Sequence, residues 1–175
     1  MTAIVLTGFM GTGKTTVGRL LAERLGKPFI DVDERIQRRT GLRIVEIFSQ
    51  YGEAFFRQLE REELAAALRE DAVVSTGGGA MLDPENVQRM KAAGPVVCLS
   101  ASVDTILSRT AADTERPLLQ HQDRRERVEA LLAERASAYA QADVVIDTTQ
   151  RSPEEVVEAI LVFLGTVLRP EELPA

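Results

Sequence analysis

The nine residues GFMGTGKTT, Gly8 to Thr16, constrain this chain more than any other stretch. They fit G-x-x-x-x-G-K-[ST], with Gly8, Gly13, Lys14 and Thr15 in the four fixed places. Glycine lets successive backbone N–H groups turn inward around a phosphate, because no Cβ obstructs the dihedrals or the approach. A helix opening directly behind the loop adds amide donors and a favourable dipole. The motif therefore predicts a nucleoside triphosphate site built from Gly11, Thr12, Gly13, Lys14, Thr15 and Thr16. Lys14 would reach the β- and γ-phosphates, and the Thr15 hydroxyl would ligate Mg²⁺.

Such a loop needs a strand before it and a helix after it. Residues 3–7, Ala-Ile-Val-Leu-Thr, read as a short buried strand. Val17, Leu20, Leu21 and Leu25 then recur at helical spacing until Gly26 and Pro28 stop the pattern. Further strands are expected at 28–33, 72–76, 96–100 and 144–147. Helical patterns fill 34–51 (broken at Thr40-Gly41), 53–69, 84–94, 103–109, 124–140 and 153–168. Asp83-Pro84 and Ser152-Pro153 read as helix starts, a capping residue followed by proline. Strands alternating with helices predict a five-stranded parallel sheet covered on both faces. At 175 residues one domain is expected. Its last residues, 169–175, carry two prolines and are expected to fray.

Ligands of parallel sheets bind at the carboxyl ends of the strands. Asp31 and Asp33 close the second expected strand. At i and i+2 of an extended chain they share a side. One would hold Mg²⁺ through water and the other a substrate hydroxyl; alternatively both are helix-capping acids. Gly77, Gly78 and Gly79 follow the third strand, as a tight turn or as backbone that touches a ligand. Glu53, Arg57 and Glu60 fall on one side of a helix. There Arg57 is either an oriented fork for an anion or half of a solvated ion pair. Residues 111–123 are polar and too long for a plain connection, which predicts a lid with Arg116, stiffened by Pro117, near its middle. Arg109 and Arg135 flank it, and His121 is expected to be an exposed lid residue.

Bulk properties narrow the partners. A net charge of −6 argues against a nucleic-acid or membrane-surface role, and requires any anion site to concentrate arginines locally. The single cysteine, Cys98, lies in an apolar run and reads as a buried core residue. No charged-then-apolar leader precedes the phosphate loop, and no run of about 18 apolar residues occurs. A reducing cytoplasm is the expected location, and a monomer the expected state.

Taken together, GFMGTGKTT, DVD at 31–33, GEAFFRQLE at 52–60, STGGGA at 75–80, RPLL at 116–119 and ERASAY around Arg135 resemble the shikimate kinases. The phosphate loop is shared by many nucleotidases, but the ordered combination is far more specific. The resemblance implies a P-loop NTPase fold like that of nucleoside monophosphate kinases, with an acceptor-binding region at about 32–61. It implies transfer of the γ-phosphoryl group of ATP to the 3-hydroxyl of shikimate, on the route to chorismate and the aromatic amino acids. Asp33, Arg57, Gly78, Gly79 and Arg135 would bind shikimate, with Phe48, Phe56 and Glu60 completing the pocket. Thr15 and Asp31 would serve Mg²⁺. Lys14 and Arg116 would stabilise the moving phosphoryl group, with Asp33 beside the reacting hydroxyl. Arg109 and Arg151 would border the adenine. Gln37 stands where many relatives carry an acid, and no strong motif follows RPLL. A gluconate kinase, a nucleoside monophosphate kinase and a non-catalytic nucleotide sensor share parts of this pattern.

Overall fold

The computed structural model describes residues 2–112 and 123–168. In chain order the elements are β1 (Ile4–Gly8), α1 (Lys14–Leu25), β2 (Phe29–Asp31), α2 (Val32–Thr40), α3 (Ile44–Ala67), β3 (Val73–Ser75) and a 3₁₀ turn (Ala80–Leu82). There follow α4 (Pro84–Ala93), β4 (Val96–Ser100), α5 (Val103–Arg109), α6 (Arg124–Tyr139), β5 (Val144–Asp147) and α7 (Pro153–Val167). The five strands form one sheet in the order β2-β3-β1-β4-β5, and every neighbouring pair is parallel.

The sheet is the middle of three layers. Along β1, Val5 faces a core shared with Ile36, Ile47, Leu64 and Met90, while Ile4 and Leu6 face Leu21, Val157 and Ile160 on the other side. A strand buried on both faces needs apolar residues in succession, which is why 3–7 carries no polar alternation. A third cluster, Phe9, Met10, Ile106, Val128 and Leu131, ties the phosphate loop to α5 and α6.

Local chemistry sets the helix ends. The Asp83 carboxylate accepts from Glu85 N at 2.9 Å, with Pro84 in the first turn. Ser152 and Glu155 form a reciprocal capping box. The second strand is shorter than the sequence suggests. It ends at Asp31, and Asp33 lies in the first turn of α2 rather than on an extended segment. The cause is Asp31 itself, whose Oδ1 accepts from Asp33 N (3.0 Å) and Glu34 N (3.3 Å) and so caps α2 two residues early. The third strand is likewise trimmed, to 73–75.

Candidate active site

Every candidate residue within the described segments lies at the carboxyl edge of the sheet or on a helix bordering it. Gly8 ends β1 at φ 131°, and a side chain there would run into the Leu99 carbonyl of β4. Gly13 caps α1 at φ 96°. Between them the loop is braced from inside, with Thr12 Oγ1 donating to Phe9 O at 2.7 Å. Lys14 folds its ammonium across the loop, donating to Gly8 O (2.8 Å) and Phe9 O (2.9 Å).

Thr148, just past β5 and buried, is a residue that the sequence does not single out. Its hydroxyl lies 2.9 Å from Thr12 O and 3.0 Å from Ser100 O, joining the loop to the end of β4. Arg109 donates to that hydroxyl (3.0 Å), to Thr148 O (2.9 Å) and to Gly11 O (3.2 Å). Arg109 is therefore locked against the loop, and this residue borders a recess shared with Thr16, Arg151 and Pro153. The only signal for Thr148 in the sequence is its place at a strand's carboxyl end.

Next to the loop, a polar recess brings together Lys14, Thr15, Asp31, Asp33 and Thr76. Asp31 has two roles in this geometry. Oδ1 caps α2, while Oδ2 lies 3.4 Å from Thr15 Oγ1. The Asp31 side chain therefore caps α2 and also faces the Thr15 hydroxyl.

A third recess opens beside Met10. Asp33, Phe48, Phe56, Arg57, Glu60 and Arg135 line it, together with Ile44 and the three glycines. Met10 and Ile44 carry no chemical signature, so a motif search passes over them. Gly52, at φ 84° and ψ 170°, breaks α3 so that Ile44 and Phe48 from its first half face the same space as Phe56, Arg57 and Glu60 from its second. The rings of Phe48 and Phe56 lie 4.8 Å apart.

Arg57 makes the exposed i,i+4 pair with Glu53 and, in addition, a buried one with Glu60. It donates to Glu60 Oε2 at 2.7 Å and to Glu53 Oε1 at 3.2 Å, and the Glu60 side chain is 1% exposed. Burial pushes the Glu60 carboxyl above its ordinary value, against the pull of Arg57 and with Asp33 adding like-charge repulsion. Burial also works against the Arg57 charge, but its two carboxylates more than offset that. The directions are compatible, since one cation gains from two anions while one anion bears the deeper burial.

The glycine run forms a turn, with Ala80 N donating to Gly77 O at 3.1 Å, and it also admits close side-chain approach. A Cβ on Gly77 would sit 2.5 Å from Glu60 Oε1, and one on Gly79 would collide with the Arg57 guanidinium. Arg135, 3% exposed, enters from α6 with its guanidinium 5.5 Å from the centre of the Phe9 ring. Cys98 is buried, and burial pushes its thiol up to about 11, so it is an inert core residue. Arg116, Pro117 and His121, and most of the 111–123 segment, lie outside the described residues.

Two arginines lining one recess, a carboxylate at a phosphate loop and this sheet order point the same way as a comparison with known families. A family model described as "Shikimate kinase" matches residues 10–165. The chain belongs to the shikimate kinase family. It is 48% identical to the shikimate kinase of Thermodesulfovibrio yellowstonii over 92% of this chain and 94% of that protein. With the one from Geobacter sulfurreducens it shares 50% identity over 92% and 90% of the two chains. Among solved structures, the Acinetobacter baumannii shikimate kinase in complex with shikimate is similar at a TM-score of 0.92, with 40% identity over 97% of this chain and 96% of that one. The Aquifex aeolicus shikimate kinase superposes at 0.79, also at 40% identity, over 94% and 97%. The fold is the P-loop NTPase fold of the nucleoside monophosphate kinase type.

Proposed function

We infer that this protein is a shikimate kinase, transferring the γ-phosphoryl group of ATP to the 3-hydroxyl of shikimate in the route to chorismate and the aromatic amino acids. The observation that carries the reading furthest is Arg57 and Arg135 entering one recess from two helices, with Asp33 between that recess and the phosphate loop. Two guanidiniums suit a carboxylate and Asp33 suits hydroxyls, which together describe a hydroxylated acid as acceptor. Phosphoryl transfer asks a protein mainly for positioning and charge neutralisation. In the reaction the acceptor oxygen bonds to the γ-phosphorus, the bond to the β–γ bridging oxygen breaks, and ADP leaves with that oxygen. The hydroxyl proton passes to Asp33 or to solvent.

Within that reading Gly11 to Thr16 hold the phosphates, Lys14 and Arg116 neutralise the moving group, and Arg109 and Arg151 border the adenine. Asp33, Arg57, Gly78, Gly79 and Arg135 hold the acceptor, with Phe48, Phe56 and Glu60 supporting them. The Thr15 hydroxyl and the Asp31 carboxylate face each other at 3.4 Å, a hard-oxygen pair that fits Mg²⁺ with waters retained. When bound, that ion would neutralise charge on the β- and γ-phosphates. Among the described residues no helix is long and apolar enough to cross a membrane. The same reading takes residues 1–175 as one kinase domain with its acceptor region at about 32–61; the lid expected at about 111–123 lies mostly, and the tail at 169–175 wholly, outside the described residues. The protein is taken as a cytoplasmic monomer without nucleic-acid or membrane partners.

The test is ADP release from Mg-ATP with shikimate, quinate, gluconate and nucleoside monophosphates supplied separately. Saturable turnover with shikimate is the expected result. Turnover confined to gluconate or a nucleotide would overturn the acceptor assignment.

A further inference from the structure

Three consecutive glycines make a poor wall for a selective pocket. Each has wide conformational freedom, and the peptides between them can reorient with little steric cost. Gly78 and Gly79 nevertheless line the acceptor recess, so something must fix the peptide that joins them. The contact that does so comes from α6. Tyr139 Oη donates to Gly78 O at 2.7 Å. Tyr139 stands one turn beyond Arg135 on the same side of α6, behind the wall rather than in it. Gly78 is wedged at this junction. A Cβ there would lie 3.2 Å from Gly8 O of the phosphate loop, 3.3 Å from Arg135 Nη1 and 3.5 Å from Tyr139 Oη.

Peptide geometry gives the hydrogen bond its consequence. The chain has no cis peptide among the described residues, so the Gly78 C=O and the Gly79 N–H point in opposite directions. Pinning the carbonyl to α6 turns the N–H away from α6. We propose that Tyr139 is a positioning residue of the acceptor site, its hydroxyl holding the Gly78–Gly79 peptide so that the Gly79 N–H is presented to the polar groups of the bound acceptor. This rests on the shikimate kinase reading and extends it to a residue outside the recess.

Ring and hydroxyl have separate jobs. The Tyr139 ring packs against two hydrophobic clusters, one around Val5 and Met90 and one around Phe9 and Leu131. Burial pushes the phenol up to about 12, with the Arg135 guanidinium opposing the rise. The hydroxyl is therefore a donor throughout the neutral range. Tyr139→Phe keeps the packing and removes the hydroxyl alone, with both its bond to Gly78 O and its contact with the Arg135 guanidinium.

Both substrates are titrated against full-length wild type and Tyr139→Phe, and thermal unfolding is followed in parallel. With one hydrogen bond lost, the shikimate KM is expected to rise about tenfold. The kcat and the ATP KM should stay within about twofold, and the unfolding midpoint should fall by no more than one lost hydrogen bond accounts for, since the ring's packing is intact. An unchanged shikimate KM would overturn the proposal. So would a joint rise of both KM values with a larger fall in midpoint, because that is the pattern of general loosening. Wild type that fails to phosphorylate shikimate would instead overturn the activity reading, and this inference with it.

Discussion

At the scale of single residues, Asp31 and Glu60 show how one carboxylate answers to two demands. Asparagine caps helices about as well as aspartate, but carries no charge for a cation. Asp31→Asn should therefore leave stability within about 0.5 kcal/mol of wild type in urea unfolding. It should raise the Mg²⁺ needed for half-maximal activity by about 10–100-fold, as loss of a metal-supporting group does. An unchanged Mg²⁺ requirement would separate Asp31 from the metal. For Glu60 the sign follows from burial. Below its ordinary value of 4.5 the carboxyl is neutral in folded and unfolded chains alike and adds no pH dependence. Above it the unfolded chain ionises first, so the contribution of Glu60 to stability falls as pH rises towards its raised folded value. A glutamine in its place does not titrate, so the unfolding midpoint of Glu60→Gln minus that of wild type should grow as pH rises from the ordinary carboxyl value of 4.5 towards the raised folded one. A difference that shrinks over this range would mean that Arg57 outweighs burial. None of this was legible in the spacing of Glu53, Arg57 and Glu60. Spacing puts the three on one face but does not say that the face packs under a glycine loop.

At the scale of elements, α3 is two helices joined by Gly52, and the break brings Phe48 and Phe56 together. At φ 84° and ψ 170° the residue occupies a region open almost only to glycine, while a Cβ there would meet nothing within 4 Å. The cost of a side chain is thus backbone strain alone. Gly52→Ala should destabilise the protein by about 1–3 kcal/mol in urea unfolding, and an unmoved midpoint would contradict the strain. Glycine and capping signals of this kind act over a few residues, so the sequence carried the break at Gly52 and the starts of α4 and α7 to the residue. Where two neighbouring groups compete for one cap, as Asp31 and Asp33 do, the pattern alone leaves the boundary of β2 open by two positions. Thr148 shows another limit. Its value lies in three contacts reached from distant parts of the chain, and a lone threonine after a strand does not announce them.

At the scale of the whole molecule, the parallel sheet explains why the recesses are neighbours. With β1 between β3 and β4, the phosphate loop at its carboxyl end is flanked by the glycine run on one side and by α5 on the other. The nucleotide side and the proposed acceptor side therefore meet at Gly8 and Lys14, where a phosphoryl group would cross. Strand alternation and the phosphate loop made this arrangement legible in the sequence, because each is a run of adjacent residues. The measurement that tests it most directly is ³¹P and ¹H NMR of Mg-ATP and shikimate incubated with the protein. A phosphate monoester signal coupled to the proton on C3 of shikimate should appear at the rate at which the γ-phosphate of ATP disappears. Release of inorganic phosphate alone, or phosphorylation at another hydroxyl, would contradict the geometry proposed for Asp33, Arg57 and Arg135.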